Sequence, residues 1–175
     1  GANNTALGSS ALQVVSSGGA NTAVGYLSMW STTTGSWNTA VGWNSLRTNV
    51  SGDSNVALGY GALYADTGSV NTAVGFQAMY ANTSGTLNTA VGAYALDANT
   101  TASENTALGY NALSANTTGT ANAAVGAHAL RLSVTSNYNS ALGYHALSNS
   151  TAFYNTAVGG QAANNTTSGG DNTAM

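Results

Sequence analysis

The sequence contains no cysteine and no proline, and its 175 residues include only two Lys or Arg and five Asp or Glu. Without cysteine there is no disulfide scaffold, no thiolate metal site and no thiol nucleophile. Two basic residues leave no electrostatic footprint for nucleic acid or for an acidic membrane surface. No apolar run approaches the ~20 residues of a membrane span, so no membrane insertion is expected. No signal peptide is visible. Charged residues make up 4% of the chain, against roughly 25% in ordinary globular domains. What is present is small: the chain is 43% hydrophobic, with 22 glycines, and alanine supplies much of the apolar share. A thin core of small side chains in one domain is the expectation.

Internal repetition dominates the chain. The pentad NTALG at Asn4–Gly8 returns as NTAVG at Asn21–Gly25 and Asn38–Gly42, then in further copies starting at Asn55, Asn71, Asn88, Asn105, Asn122, Asn139 and Asn155. An eleventh copy starts at Asn172 and runs to Met175. Successive Asn are 17 residues apart, or 16 after Asn55 and Asn139. Residues 1–175 thus form a single array with no linker. Neither end departs from the pattern as solenoid caps do, so the chain reads as a piece of a longer fibre.

Counted from that Asn as position 1, the unit is N-T-A-V/L-G-Y-x-A/S-L, followed by a half rich in Thr, Ser, Asn and Gly. Both 16-residue copies are shortened in that second half, which marks it as loop. Seventeen residues are too few for helical-repeat pairs, and the first half lacks a 3.6-residue period. Thr, Val and Tyr favour strands, with Gly at corners needing positive φ. The predicted fold is all-β: a parallel β-solenoid of about ten 17-residue coils. Stacked at ~4.8 Å, the coils make a rod roughly 50 Å long. Positions 4 and 9 supply the large aliphatic residues and are the expected core. So small a core calls for many coils or for oligomerisation, and a parallel homotrimer packed through flat rows of Ala and Gly is expected.

The pentads Asn21–Gly25, Asn71–Gly75 and Asn155–Gly159 resemble the strand motif of trimeric autotransporter adhesin heads. The fuller unit, as in Asn105–Gly119, is similar to repeats of bacteriophage tail-fibre and bacterial surface-fibre proteins. The resemblance implies a left-handed β-roll, intertwined or packed as a homotrimer, acting as shaft or receptor-contacting segment. The adhesin-head unit is usually shorter than this one. No segment resembles a neck, a coiled coil or a chaperone domain.

Candidate chemistry is sparse. Asp53, Asp66, Asp97, Glu104 and Asp171 fall at positions 16, 12, 10, 17 and 17 and form no stacked carboxylate pair; a glycosidase pair would have to assemble between subunits. His128 and His145 both occupy position 7, in one column with Asn44, Gln77, Asn111 and Gln161. They are the candidate metal ligands, against the simpler reading of a polar surface column. Position 6 carries Tyr26, Trp43, Tyr60, Phe76, Tyr110 and Tyr144, an expected aromatic ladder. Trp30, Trp37, Tyr64 and Tyr80 flank polar loops and are the candidate glycan contacts. The position 1 asparagines invite an amide ladder. Sequons at Asn49, Asn82, Asn99, Asn116, Asn149 and Asn165 are candidate glycosylation sites.

The expectation is a non-enzymatic, cofactor-free extracellular fibre segment on a virion tail or cell surface. Its partners would be its own copies and a surface glycan. The alternatives are a filament subunit stacking end to end, or an ice-binding solenoid using the Thr rank at position 2 (Thr5, Thr22, Thr39, Thr72, Thr89, Thr106 and Thr156), which Val56, Ala123 and Ser140 interrupt.

Overall fold

A computed structural model describes residues 1–175. Each repeat is one coil, and each coil contributes one short strand, from β1 (Thr5–Leu7) to β11 (Thr173–Ala174). The eleven strands form a single parallel sheet in strict sequence order. Register is preserved throughout, with Thr72 paired to Thr89, Ala73 to Ala90 and Val74 to Val91. The shortened coils keep it too, since Val56 pairs with Thr72. This is the predicted β-solenoid.

Only 20 of 108 backbone hydrogen bonds lie within strands; the other 88 belong to turns and loops. Most of these also run from one coil to the next, as in Met79 N to Ala95 O at 2.9 Å and Thr83 N to Thr100 O at 2.9 Å. Loop threonines at position 13 add a second ladder, their hydroxyls donating to the next coil's carbonyl, as in Thr83 to Thr100 O at 2.9 Å. The Thr-rich loop is therefore stacked in the same rung-to-rung fashion as the strands.

The interior corrects one expectation. Side chains alternate along a strand, and the buried member of each T-A-V triplet is the alanine. The core column is Ala at position 3, Ala or Ser at position 8 and Leu or Met at position 9, as in Ala90, Ala95 and Leu96. Position 4 faces outward: Leu58, Leu108 and Leu142 are exposed and Val74 and Val91 half-buried. The large residue at position 9 already fills the space across from the strand, leaving room only for alanine. The Ala rows expected at subunit contacts are thus inside the coil. The Gly row at position 5 is occupied as well, because these residues have φ of 126–139° and each stacks on the next. A Cβ at Gly75 would lie 2.6 Å from Gly92 O.

A second half of the interior is polar. Asn at position 1 is buried from Asn21 to Asn155, and the expected amide ladder is present. The backbone N–H of Asn88 donates to Asn71 Oδ1 at 3.0 Å and that of Asn105 to Asn88 Oδ1 at 3.0 Å. From Asn4 to Asn139 each Asn Nδ2 also reaches across its own coil, as from Asn71 to Gly85 O at 2.7 Å. Buried amides are costly unless bonded, and here both ends are.

With one large aliphatic side chain per coil, truncation should be felt strongly. Leu96→Ala is expected to destabilise by about 3 kcal/mol, read as a lowered denaturant midpoint with unchanged slope.

Candidate functional site: side-chain columns along the rod

In-register stacking converts each repeat position into a column, so chemistry-bearing residues occur as ladders. At position 6 the rings of Tyr26, Trp43 and Tyr60 meet edge to face, each pair at 5.7 Å, and Tyr60 stacks on Phe76 at 5.1 Å. Alanine stands at position 6 in two coils, Ala93 and Ala127. Tyr94 and His128, from position 7, fill those gaps. Tyr94 lies 5.3 Å from Phe76 and 6.2 Å from Tyr110, and His128 lies 5.2 Å from Tyr110 and 6.2 Å from Tyr144. The aromatic ladder is therefore unbroken from Tyr26 to Tyr144. The sequence signal for Tyr94 was the exchange of alanine and aromatic between neighbouring positions.

His128 and His145 do stack, 4.7 Å apart with 28° between planes. Near-parallel rings set their nitrogens side by side and do not converge on a shared point, as ligands of one metal must. No group of three or more His, Asp and Glu gathers anywhere in the structure. Burial, then the positive charges of His145 and Arg131, holds the His128 imidazole below its usual pKa. Its neutral form is favoured on folding, so that contribution is lost as pH falls below 6.5.

The position 10 column holds three of the four candidate glycan contacts. The Arg47 guanidinium lies 5.5 Å over both Trp30 and Tyr64, and its Nη1 donates to Tyr64 Oη at 2.7 Å. Tyr64 stacks on Tyr80 at 4.8 Å with planes 13° apart, and Trp30 Nε1 donates to Gln13 Oε1 at 2.8 Å. These faces are engaged along the rod axis, so Tyr64 and Tyr80 offer a sugar their edges more than a platform. Trp37 is not part of this column. It stands at position 17, 67% exposed, beside a shallow hollow lined by Asn3, Ala20 and Ser36.

Four sequons are corrected by burial. Asn49, Asn82, Asn99 and Asn116 lie inside the coil, where their amides close the loop. Asn49 Nδ2 donates to Gly52 O at 2.8 Å, and Gly52 N donates back to Asn49 Oδ1 at 2.7 Å. A glycan on any of these amides would require opening the coil. Asn149 is half-buried and Asn165 exposed, the two joined by an amide hydrogen bond of 2.7 Å.

The acids stay dispersed, but Asp66 has unusual surroundings. It occupies the buried position 12 column that otherwise holds Asn, Ser or Thr in most coils. Its carboxyl accepts from Gly68 N at 2.9 Å and Asn82 Nδ2 at 2.6 Å. Burial pushes its pKa up to about 7 from 3.8, against the opposing hydrogen bonds from Gly68, Asn71 and Asn82. Burial likewise raises the half-buried Asp97, though backbone hydrogen bonds oppose it.

No protein-family model, no curated protein and no solved structure matches this chain.

The folded chain keeps the Asp66 proton at pH values where the unfolded chain has lost it. Stability is therefore complete below pH 3.8, falls as pH rises towards 7, and levels off above. Asp66→Asn should remove this slope and stabilise the protein at pH 8 by roughly 4 kcal/mol, from about three pKa units at ~1.36 kcal/mol each. Denaturant midpoints at pH 5 and pH 8 measure both effects.

Proposed function

We propose that the chain is a structural segment of an extracellular fibre, a self-associating rod of a phage tail or cell surface, without catalytic activity. The observation that carries this reading is the uniform rung-to-rung bonding of the whole chain. From β1 to β11 the strands repeat one register, and the loops between them stack as well. Such an array resists bending and extends by adding coils, because each coil is stabilised by its neighbours. Its side chains run as ladders along the rod and do not converge as acid, base and nucleophile must.

The resemblance of the repeats to tail-fibre and adhesin-head units supports the same reading and favours a parallel homotrimer. Surface glycan contact, where it occurs, would use the exposed Trp37 and the loops before it. Low charge and the lack of cysteine suit a long-lived rod outside the cell.

Ice binding is the second reading. Its support is that the position 2 threonines point outward from a flat strand face, as Thr39, Thr89 and Thr106 do.

Light scattering on the native protein is expected to give a particle mass of three chains, with no thermal hysteresis in a freezing assay. A monomer that shows hysteresis would replace the fibre reading with the second one.

A further inference from the structure

We infer that His128, His145 and Arg131 form a binding site for an oxyanion, the carboxylate, sulfate or phosphate group of an acidic ligand, and that it binds more tightly as pH falls. The site is separate from Trp37 and does not depend on how many chains make up the particle.

Three observations carry it. The first is geometry. Columns 7 and 10 adjoin on the coil surface, since His145 Nδ1 lies 3.3 Å from Ser148 Oγ. Arg131 follows His128 by the same step of three residues, one coil earlier. His145 stacks on His128 at 4.7 Å. Two imidazoles and a guanidinium thus gather on successive rungs, all three half-buried. An oxyanion presents several oxygens, so donors set side by side can each meet a different one. A metal ion would need lone pairs aimed at a single point.

The second observation is charge. The chain has five acids against two arginines, yet residues 105–154, the three coils that hold this cluster, contain no Asp or Glu. Along column 10 the nearest acid is Asp97, two rungs from Arg131, or about 10 Å at the inter-strand spacing. Salt screens charges at that separation. Tyr110 and Tyr144, edge-on against the histidines, are the other titratable groups in contact, and they add no carboxylate. Burial, and behind it the positive charges of His145 and Arg131, disfavours the charged form of His128. An anion placed among the three reverses that balance, because an opposite charge nearby favours the protonated imidazole.

The third is the contrast between the two arginines. Arg47 lies between Trp30 and Tyr64 and donates to Tyr64 Oη. Arg131 has serines on both sides of it in column 10, Ser114 and Ser148, which leave its guanidinium uncovered. Arg131 Nε and His128 Nδ1 are also two of the seven buried side-chain polar atoms without a hydrogen-bond partner. The chain itself supplies no acceptor to this cluster.

The test follows the imidazole C–H signals of the two histidines by NMR, since the chain has no others. Sodium sulfate is titrated in at pH 5.5, with sodium chloride holding the ionic strength constant. Both signals should move and saturate. The apparent Kd should be about tenfold weaker at pH 8, where an imidazole of ordinary pKa is neutral. Arg131→Gln should abolish the saturable shift, and Arg47→Gln should leave it. Column 10 already holds Gln13, so the coil accepts that side chain. His145→Gln, matching Gln77 and Gln161 of column 7, should weaken the response of the remaining histidine. No saturable shift at pH 5.5, equal affinity at pH 8, or full binding by the Arg131 variant would overturn the site.

Acetate and glucuronate, titrated in parallel, separate the sources of the anion. Tighter binding of glucuronate assigns the site to an acidic sugar that also rests on Tyr110 or Tyr144. Equal binding assigns it to the anionic group alone. Either result supports the oxyanion site, and neither depends on particle mass, so the fibre reading stands or falls separately.

Discussion

The asparagine at position 1 is the interaction on which the rest of the molecule depends. Its Nδ2 ties the strand to the far side of its own coil, and its Oδ1 accepts the backbone N–H of the next coil's asparagine. One side chain thus fixes both the closure of a coil and the position of its neighbour. The shortened coils demonstrate how strong the constraint is. The coils of Asn55 and Asn139 have one residue fewer in the loop, yet the Nδ2 atoms of these two asparagines still reach Gly68 O and Ala152 O, each at 2.9 Å. The missing residue comes out of the loop inside the amide clasp, where donor and acceptor are 13 residues apart in place of 14, and the strand register is untouched.

That closure is achieved against backbone strain. In most coils three non-glycine residues take the left-handed conformation, at positions 7, 9 and 17, such as Asn111, Leu113 and Ala121 with φ of 54°, 52° and 55°. Each costs on the order of 1 kcal/mol, and a β-branched residue such as Val70, with φ of 60°, is rarer still in that region. No isolated coil would hold these conformations. They persist because the stack provides each rung with hydrogen bonds and packing from both sides, so the strain links the stability of every coil to its neighbours. Unlike strain at an active site, it recurs along the entire rod.

The register, the loops and the amide ladder were legible in the sequence because they follow from spacing alone. The inside and outside of the strand were not. Thr-Ala-Val reads most simply with the large valine inward. The deciding fact is that leucine at position 9 folds back over the strand from a left-handed backbone, a conformation that nothing in the residue type announces. The sequons failed for a related reason. Position 12 holds Asn49, Asn82 and Asn99 but also Thr32, Asp66 and Ser133, all buried. A buried column made up mostly of compact polar side chains is the mark of a polar interior, and a motif read one repeat at a time does not reveal it. His128 looked like half of a metal pair, yet in the structure it also completes the aromatic ladder where Ala127 leaves a gap.

The coil is polar where a globular domain is apolar, and apolar where it meets water. Asparagines dominate the polar part of its interior, while aliphatic and aromatic rows face outward. The substitutions tolerated at position 2 indicate what that outer face requires. Threonine gives way to Val56, Ala123 and Ser140, which share compactness and lack of charge but not a hydroxyl. A surface that ordered water through regularly spaced hydroxyls would be broken at Val56 and Ala123. A surface that packs against another rod would not, since valine is nearly the shape of threonine and buries more favourably. The constraint on this column is thus one of shape and neutrality, not of a hydroxyl at every rung.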